Sequence, residues 1–261
     1  MYREFLRELR SGFRCIALDY PGFGLSQAAA EFRYTLPELR SIVETFVETL
    51  DLKDITLFVH DAGGPIGLGA AARKPERYKA FVISDTFAFP LKDYPLMRSM
   101  LGVVTSGPFR FLNRRFNLMA RVISRFAPVR RRLSKEERGV YRHLFPTPEA
   151  RDRSLALMNQ LRTQYGYLQQ LEDGIRHELQ DRPALLMFGQ FDPARLAGWM
   201  RRFETLFRQH CSRPIPWEGH FPHEGSPATM IAEFQHWYGS ISTQQKIDSE
   251  SQTHTSRTAA H

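Results

Sequence analysis

Apolar positions in this chain come in two rhythms. Short dense runs of β-formers alternate with stretches where apolar residues recur every three or four positions. Met1 to Leu9 has the helical rhythm, with Phe5, Leu6 and Leu9 apolar, and Ser11-Gly12 closes it. Phe13 to Leu18 is a nearly continuous apolar run, the pattern of a strand covered on both faces. A Gly- and Pro-rich loop, Asp19 to Ser26, follows. Thr35-Leu36-Pro37-Glu38 predicts a helix start, with Thr35 as N-cap and Glu38 at capping-box distance, and the helix runs to about Leu50. Ile55 to Val59 is a second dense run. It stops at His60-Asp61, and small residues lead into an Ala-rich helix that Lys74-Pro75 ends. Lys79 to Ser84 predicts a third strand, closed by Asp85.

The rhythm then changes. From Leu91 to about Asp181 the pattern is helical throughout. Dense runs resume at Pro183 to Phe188 and, more briefly, at Arg213 to Trp217, with a helix over Trp199 to Arg208 between them. Glu218 to Glu224 reads as a loop and Thr229 to Tyr238 as a last amphipathic helix. Alternating strands and helices imply parallel βαβ units, hence an α/β fold with a mostly parallel sheet flanked by helices. The expected organisation is a core of residues 1–90 and 182–239, an all-helical cap over 91–181, and a polar, aperiodic tail over 240–261 that reads as disordered.

Composition narrows the class. The 261 residues suit one large domain with an insertion, and no apolar run approaches the ~20 residues of a membrane span. Cys15 and Cys211 make no disulfide framework, which points to a reducing, cytoplasmic setting. The net charge is +8, and much of it lies between Arg110 and Arg142. Nucleic acid or an anionic membrane surface would fit such a segment. The plainer reading is the wet face of amphipathic helices. Phe109, Phe111, Phe116 and Phe126 fall among helix-like apolar positions and read as part of a buried face, not a stacking platform, so no nucleic-acid partner is expected. No metal and no cofactor is expected, and the pattern leaves the oligomeric state open.

The candidate chemistry sits at strand ends. Asp61 stands at the tip of a strand–turn–helix where the backbone must be strained, and Gly63 and Gly64 leave room for the close approach. A carboxylate there is already ionised at neutral pH and can attack an sp3 carbon to give an alkyl ester. A base must then activate water. An Asp that merely caps the helix beginning at Ala62 is the alternative. Asp61, Asp192 and His220 all end expected strands, in the order nucleophile, acid, histidine, at the sheet edge where ligands bind. Asp85 is a rival acid and His223 a rival base.

Six motifs carry a resemblance. They are RCIALDYPGFGLS over Arg14–Ser26, HDAGGPIG over His60–Gly67, DTFAFP over Asp85–Pro90, FPTPEAR over Phe145–Arg151, FGQFD over Phe188–Asp192 and GHFPHE over Gly219–Glu224. Across about Tyr2 to Tyr238 the chain resembles the α/β-hydrolases, and within them the haloalkane dehalogenases. The resemblance implies Asp61 as nucleophile, His220 as base, Asp192 as its partner acid, and a helical cap closing a dry pocket for a small apolar organic substrate and water. Two departures stand out. Dehalogenases of this kind carry a Trp after the nucleophile to hold the leaving halide. This chain has Ala62, which leaves only a backbone N–H as donor. The family also has strands and a donor loop ahead of the helix that starts here, including a strand between the Cys15 and Asp61 strands. That implies an N-terminally truncated form with a slot in its sheet. The competing readings are an epoxide hydrolase, for which Tyr141, Tyr165 and Tyr167 of the cap are candidate phenolic donors, and an impaired remnant or binding protein.

Overall fold

The computed structural model describes residues 1–126 and 129–258, with side chains described up to residue 243. The opening helix α1 is Arg3–Leu9. Helix α2, Leu36–Thr49, starts with the expected capping box, in which Thr35 and Glu38 satisfy each other's backbone N–H. Strand β1 is Ile55–Asp61. It passes through a wide π-turn at Gly64–Leu68 into the short helix α3, Gly69–Arg73. Strand β2 is Tyr78–Thr86. Strands β3 (Ala184–Leu186) and β4 (His210–Ser212) complete a four-stranded, all-parallel sheet in the order β1-β2-β3-β4.

The dense apolar runs are explained by burial on both faces of this sheet. Phe81, Ile83, Leu186 and Phe188 point into a core shared with α2, α3 and the helical insertion. Their neighbours Ala80, Val82, Leu185 and Met187 point into a second core, closed by α1 and by the last helix.

Between β2 and β3 every described element is helical. These are α4 (Pro95–Val104), α5 (Gly107–Phe116), α6 (Leu118–Phe126), α7 (Lys135–His143), α8 (Pro148–Thr163) and α9 (Tyr165–Gly174). Two short helices, α10 (Pro193–Leu196) and α11 (Trp199–Glu204), lie between β3 and β4. Helix α12 is Pro222–Gly225 and α13 is Pro227–Thr258.

Two strand expectations are corrected. Phe13 to Leu18 forms no strand. A strand needs a neighbour to pair with, and among the described residues no ladder partner runs beside it. Phe13 instead packs its ring edge-on against Tyr238, centroids 5.0 Å apart, and Ile16 is left exposed. The slot expected within the sheet is therefore an edge at β1, where Phe5 of α1 meets Phe58. The late strand is His210–Ser212, with only an isolated bridge from Gly189 to Ile215 in the segment where it was expected. Helix α13 runs on to Thr258 through the polar segment, and 259–261 lie outside the described residues. A helix docked through Met230, Ile231, Phe234 and Trp237 extends without a new nucleation cost.

Among the described residues no helix is long and apolar enough to cross a membrane, and no cluster of three or more metal-capable side chains occurs.

Candidate active site

Asp61 closes β1 with φ 48°, in the left-handed region that non-glycine residues rarely enter. The ladder register to β2 shifts between His60 and Asp61, so the chain turns sharply at that residue. Thr86 Oγ1 donates to the Asp61 carbonyl and pins the turn from the neighbouring strand. Gly64 makes the turn possible, because a Cβ there would lie 2.0 Å from Thr86 Oγ1 and 2.9 Å from the Phe87 carbonyl. Gly63 has open space beside it, so only the second glycine of the pair is sterically required.

The structure brings Asp61, His220 and Asp192 into one line. Asp61 Oδ2 lies 3.4 Å from His220 Nε2, and His220 Nδ1 donates to Asp192 Oδ2 at 2.5 Å. Asp192 caps α10, its other oxygen accepting from the Ala194 amide. It is 1% exposed, whereas the Asp61 and His220 side chains are 36% and 33% exposed. Asp192 is sealed in, and Asp61 and His220 are partly open to solvent.

The electrostatics follow from this packing. Burial pushes the Asp61 carboxyl up, but the His220 hydrogen bond, the two nearby imidazoles and the Ala62 amide outweigh it and hold it below the usual carboxylate range. Ala62 thus supplies a backbone donor at Asp61 and no side-chain donor. Burial also opposes charge on His220, yet Asp192 and Asp61 together keep the imidazole well above its ordinary value. Asp192 is likewise below the usual range, with burial overcome by His220 and the Ala194 amide.

The rivals are placed elsewhere. Asp85 is fully buried, with Oδ1 accepting from the Gly189 amide at 2.8 Å and Oδ2 from Ser84 Oγ at 2.6 Å. Burial and the Asp192 charge push its carboxyl well above the usual range. The acid hydrogen-bonded to the imidazole is Asp192. His223 is 2% exposed and stacks edge-on against His60 and Tyr2, so it faces the core and not a ligand.

Three residues that the sequence did not single out support the line. His60 Nε2 donates to the His220 carbonyl at 2.7 Å. Glu218, on the His220 loop and fully buried, accepts from Ser226 Oγ at 2.7 Å and from the Val129 amide of the insertion at 3.1 Å. Glu224, also buried, accepts from Arg3 of α1 at 2.7 Å and from the Tyr141 hydroxyl at 2.6 Å. Two glutamates of one loop thus tie the insertion to the histidine. Their only sequence signal was their place either side of His220. The phenols expected for epoxide opening are engaged: Tyr141 by Glu224, and Tyr167 by the Pro65 carbonyl at 2.8 Å. Tyr165 has Arg98 over its ring.

Comparison with known proteins bears on the fold and the family. The family profile of the alpha/beta hydrolase fold matches residues 1–227. Haloalkane dehalogenase 2 of Mycobacterium tuberculosis (strain ATCC 25618 / H37Rv) is 28% identical over 242 residues, covering 92% of this chain and 83% of its own. The cis-3-alkyl-4-alkyloxetan-2-one decarboxylase of Shewanella oneidensis is 37% identical over 151 residues, covering 54% of this chain and 45% of its own. Among solved structures, the ancestral haloalkane dehalogenase AncHLD2 superposes with a TM-score of 0.80 at 22% identity, covering 93% of this chain and 87% of its own. A loop variant of DbeA, a haloalkane dehalogenase from Bradyrhizobium elkanii, gives 0.78 at 18% identity, covering 94% and 86%. With the parallel sheet and its helical insertion, these matches make the chain a member of the α/β-hydrolase fold family, haloalkane dehalogenase-like in sequence.

Proposed function

We propose that the chain is a hydrolase in which Asp61 attacks an sp3 carbon bearing a leaving group, a haloalkane being the substrate class its relatives suggest. The observation that carries this is the line Asp61–His220–Asp192, with the nucleophile strained and open and the acid sealed.

In the first step an Asp61 oxygen forms a bond to the carbon, and halide leaves with the bonding pair. Esterification removes the charge of Asp61, one of the two anions that hold the proton on His220. The imidazole is then released to act as base, so the first step itself prepares the second. His220 Nε2 takes a proton from water, and the hydroxide attacks the ester carbonyl. The alcohol departs and the carboxylate returns. Asp192 holds the tautomer and stabilises the imidazolium. The Ala62 amide is the donor this chain offers near the reacting atoms. Ala62 in place of the Trp that follows the nucleophile in dehalogenases removes one side-chain donor, a loss of about 2.7–4 kcal/mol of transition-state stabilisation by analogy with an oxyanion hole, so a slow halide-releasing reaction is expected.

That weak donor set supports a second reading, drawn from the Shewanella relative: an oxetan-2-one as substrate. Attack of Asp61 at the ring carbon bonded to oxygen opens the ring to a tethered carboxylate, which needs no halide site. Loss of CO2 then forms the alkene as Asp61 leaves, with no water and no base.

Trapping separates the two. In a His220→Ala variant, mild-acid quenching should leave the substrate alkyl group on the peptide containing Asp61, with halide released once per enzyme. A label on another peptide, or turnover without any label, overturns the Asp61 ester. Alkene and CO2 production from an oxetan-2-one by the same variant selects the second reading.

A further inference from the structure

The helical insertion turns much of its apolar surface outward. On α5 the buried side chain is Asn113, 1% exposed, which accepts from the Met119 amide at 2.8 Å and reaches the Arg151 carbonyl. Phe111 on the same helix is 70% exposed, and Phe116 is also open. On α6 Ala120 and Ser124 face inward, while Val122 and Phe126, one turn apart, face out. On α4 Leu96 and Val103 lie on one exposed stripe, two turns apart. Helices α4 and α5 both pack on α8, and α6 packs on α5 and α7, so the exposed stripes lie away from those contacts. A surface helix of a water-soluble domain ordinarily has the opposite polarity.

Charge says what could cover this face. From Pro95 to Ser134 the sequence holds nine arginines and no Asp or Glu. Arg110 and Arg114 are paired with Asp152 and Glu149 of α8, and Arg131 with Glu137. Arg115, Arg121, Arg125, Arg130 and Arg132 have no carboxylate within salt-bridge distance among the described residues. Arg115 and Arg125 lie over the neighbouring rings of Phe116 and Phe126, at 5.2 and 5.8 Å. A recess of about 390 Å³ lined by Arg125, Phe126, Val129, Arg132 and Arg138 adds a cationic, partly apolar hollow at the edge of the face.

The complementary partner is apolar in depth and anionic at its surface. An anionic bilayer offers both, hydrocarbon to the phenylalanines and phosphates to the guanidiniums. We propose that the outward face of α4–α6 docks in the plane of an anionic lipid surface, with Phe111, Phe116 and Phe126 below the headgroups and Arg115, Arg121 and Arg125 among the phosphates. The docking is independent of the reaction read above, and its test measures binding, not turnover.

The test is sedimentation of the full chain with vesicles of phosphatidylcholine alone or mixed with phosphatidylglycerol, alongside amide hydrogen exchange. Binding to the mixed vesicles only, weakened by salt, is expected. Each arginine near an anionic surface is worth about fivefold, so combined Arg115→Gln, Arg121→Gln and Arg125→Gln should lower partitioning roughly 100-fold. Phe111→Ser with Phe126→Ser should also weaken it without lowering the melting temperature, since both side chains are exposed. Vesicles should slow exchange in α4–α6 of the unaltered chain. Absence of binding to anionic vesicles, undiminished binding by the variants, or slowed exchange elsewhere overturns the proposal. So does a concentration-dependent dimer that protects α4–α6 without lipid, because a second copy would then cover the face. The exchange measurement needs no variant and decides the matter even where a variant folds badly.

Discussion

His60 donates from Nε2 to the backbone carbonyl of His220 across 2.7 Å, so the residue before Asp61 holds the loop that carries this histidine. Burial, and then the charge of His220, push the His60 imidazole down to about 4. A folded-state pKa below the unfolded value of about 6.5 means that the stability His60 confers is complete above 6.5 and is lost as pH falls toward 4. His223, packed on the same ring and also pushed low by burial, acts in the same direction. The urea midpoint should therefore fall as the pH is lowered from 7 to 4, and His60→Gln should remove about 3 kcal/mol of that pH dependence.

The two buried acids should separate cleanly. Asp192→Asn removes the acceptor at His220 Nδ1 and should lower kcat about 10⁴-fold, as loss of a tautomer-holding acid does elsewhere. Asp85→Asn should keep most of the activity, because Asp85 makes no bond to the imidazole. It should also unfold later in urea at pH 7 than at pH 4, relative to the parent. The Asp85 pKa is raised in the fold, so its favourable contribution is complete below about 3.9 and lost as pH rises through the folded value. An amide escapes that loss.

The dependence of His220 on Asp61 can be read directly. Asp61→Asn removes one of the two anions beside the imidazole, so the His220 pKa, followed by NMR of the ring protons, should fall relative to the parent. An unchanged value would mean that esterification does not free the base.

Gly64→Ala tests the strained turn. Its Cβ would collide with Thr86 Oγ1 and crowd the Phe87 carbonyl. Overpacking of this kind typically costs about 1–3 kcal/mol. Because Thr86 also holds the Asp61 carbonyl, kcat should fall together with the urea midpoint.

Glu218→Gln keeps the shape of the side chain but replaces one acceptor oxygen with a donor. Glu218 Oε1 accepts from Ser226 and Oε2 from the Val129 amide; the side-chain amide of the variant can keep both contacts by donating to Ser226 Oγ, but the charge-assisted bonds become weaker neutral ones at a cost of about 1 kcal/mol. Faster amide exchange should appear at Val129 and in the His220 loop together, because the Val129 bond joins them.

Much of the architecture was legible along the chain because it is local. Dense apolar runs and the Thr35–Glu38 box marked β1, β2, β3 and α2, and abrupt polar stops marked the ends of β1 and β2. The order of Asp61, Asp192 and His220 could be read as well, since parallel strands deliver their C-terminal ends to one edge. Partnership is different. Phe13 to Leu18 has the composition of a strand and runs unpaired, because a ladder depends on a neighbour and not on propensity. Asp85 lies at the end of β2 and Asp192 in the loop after β3, and only packing decided that Asp192 is the one that meets the imidazole. The phenylalanines of α5 and α6 have the periodicity of a core, yet Asn113 and Ser124 took the inward positions through contacts with distant helices. Local sequence set the turns, the caps and most of the segments that extend or coil, since those depend on neighbours within a few residues. Only the tertiary structure decided which side of each segment meets water, and which charges meet each other, because those energies depend on distances between residues far apart in the chain.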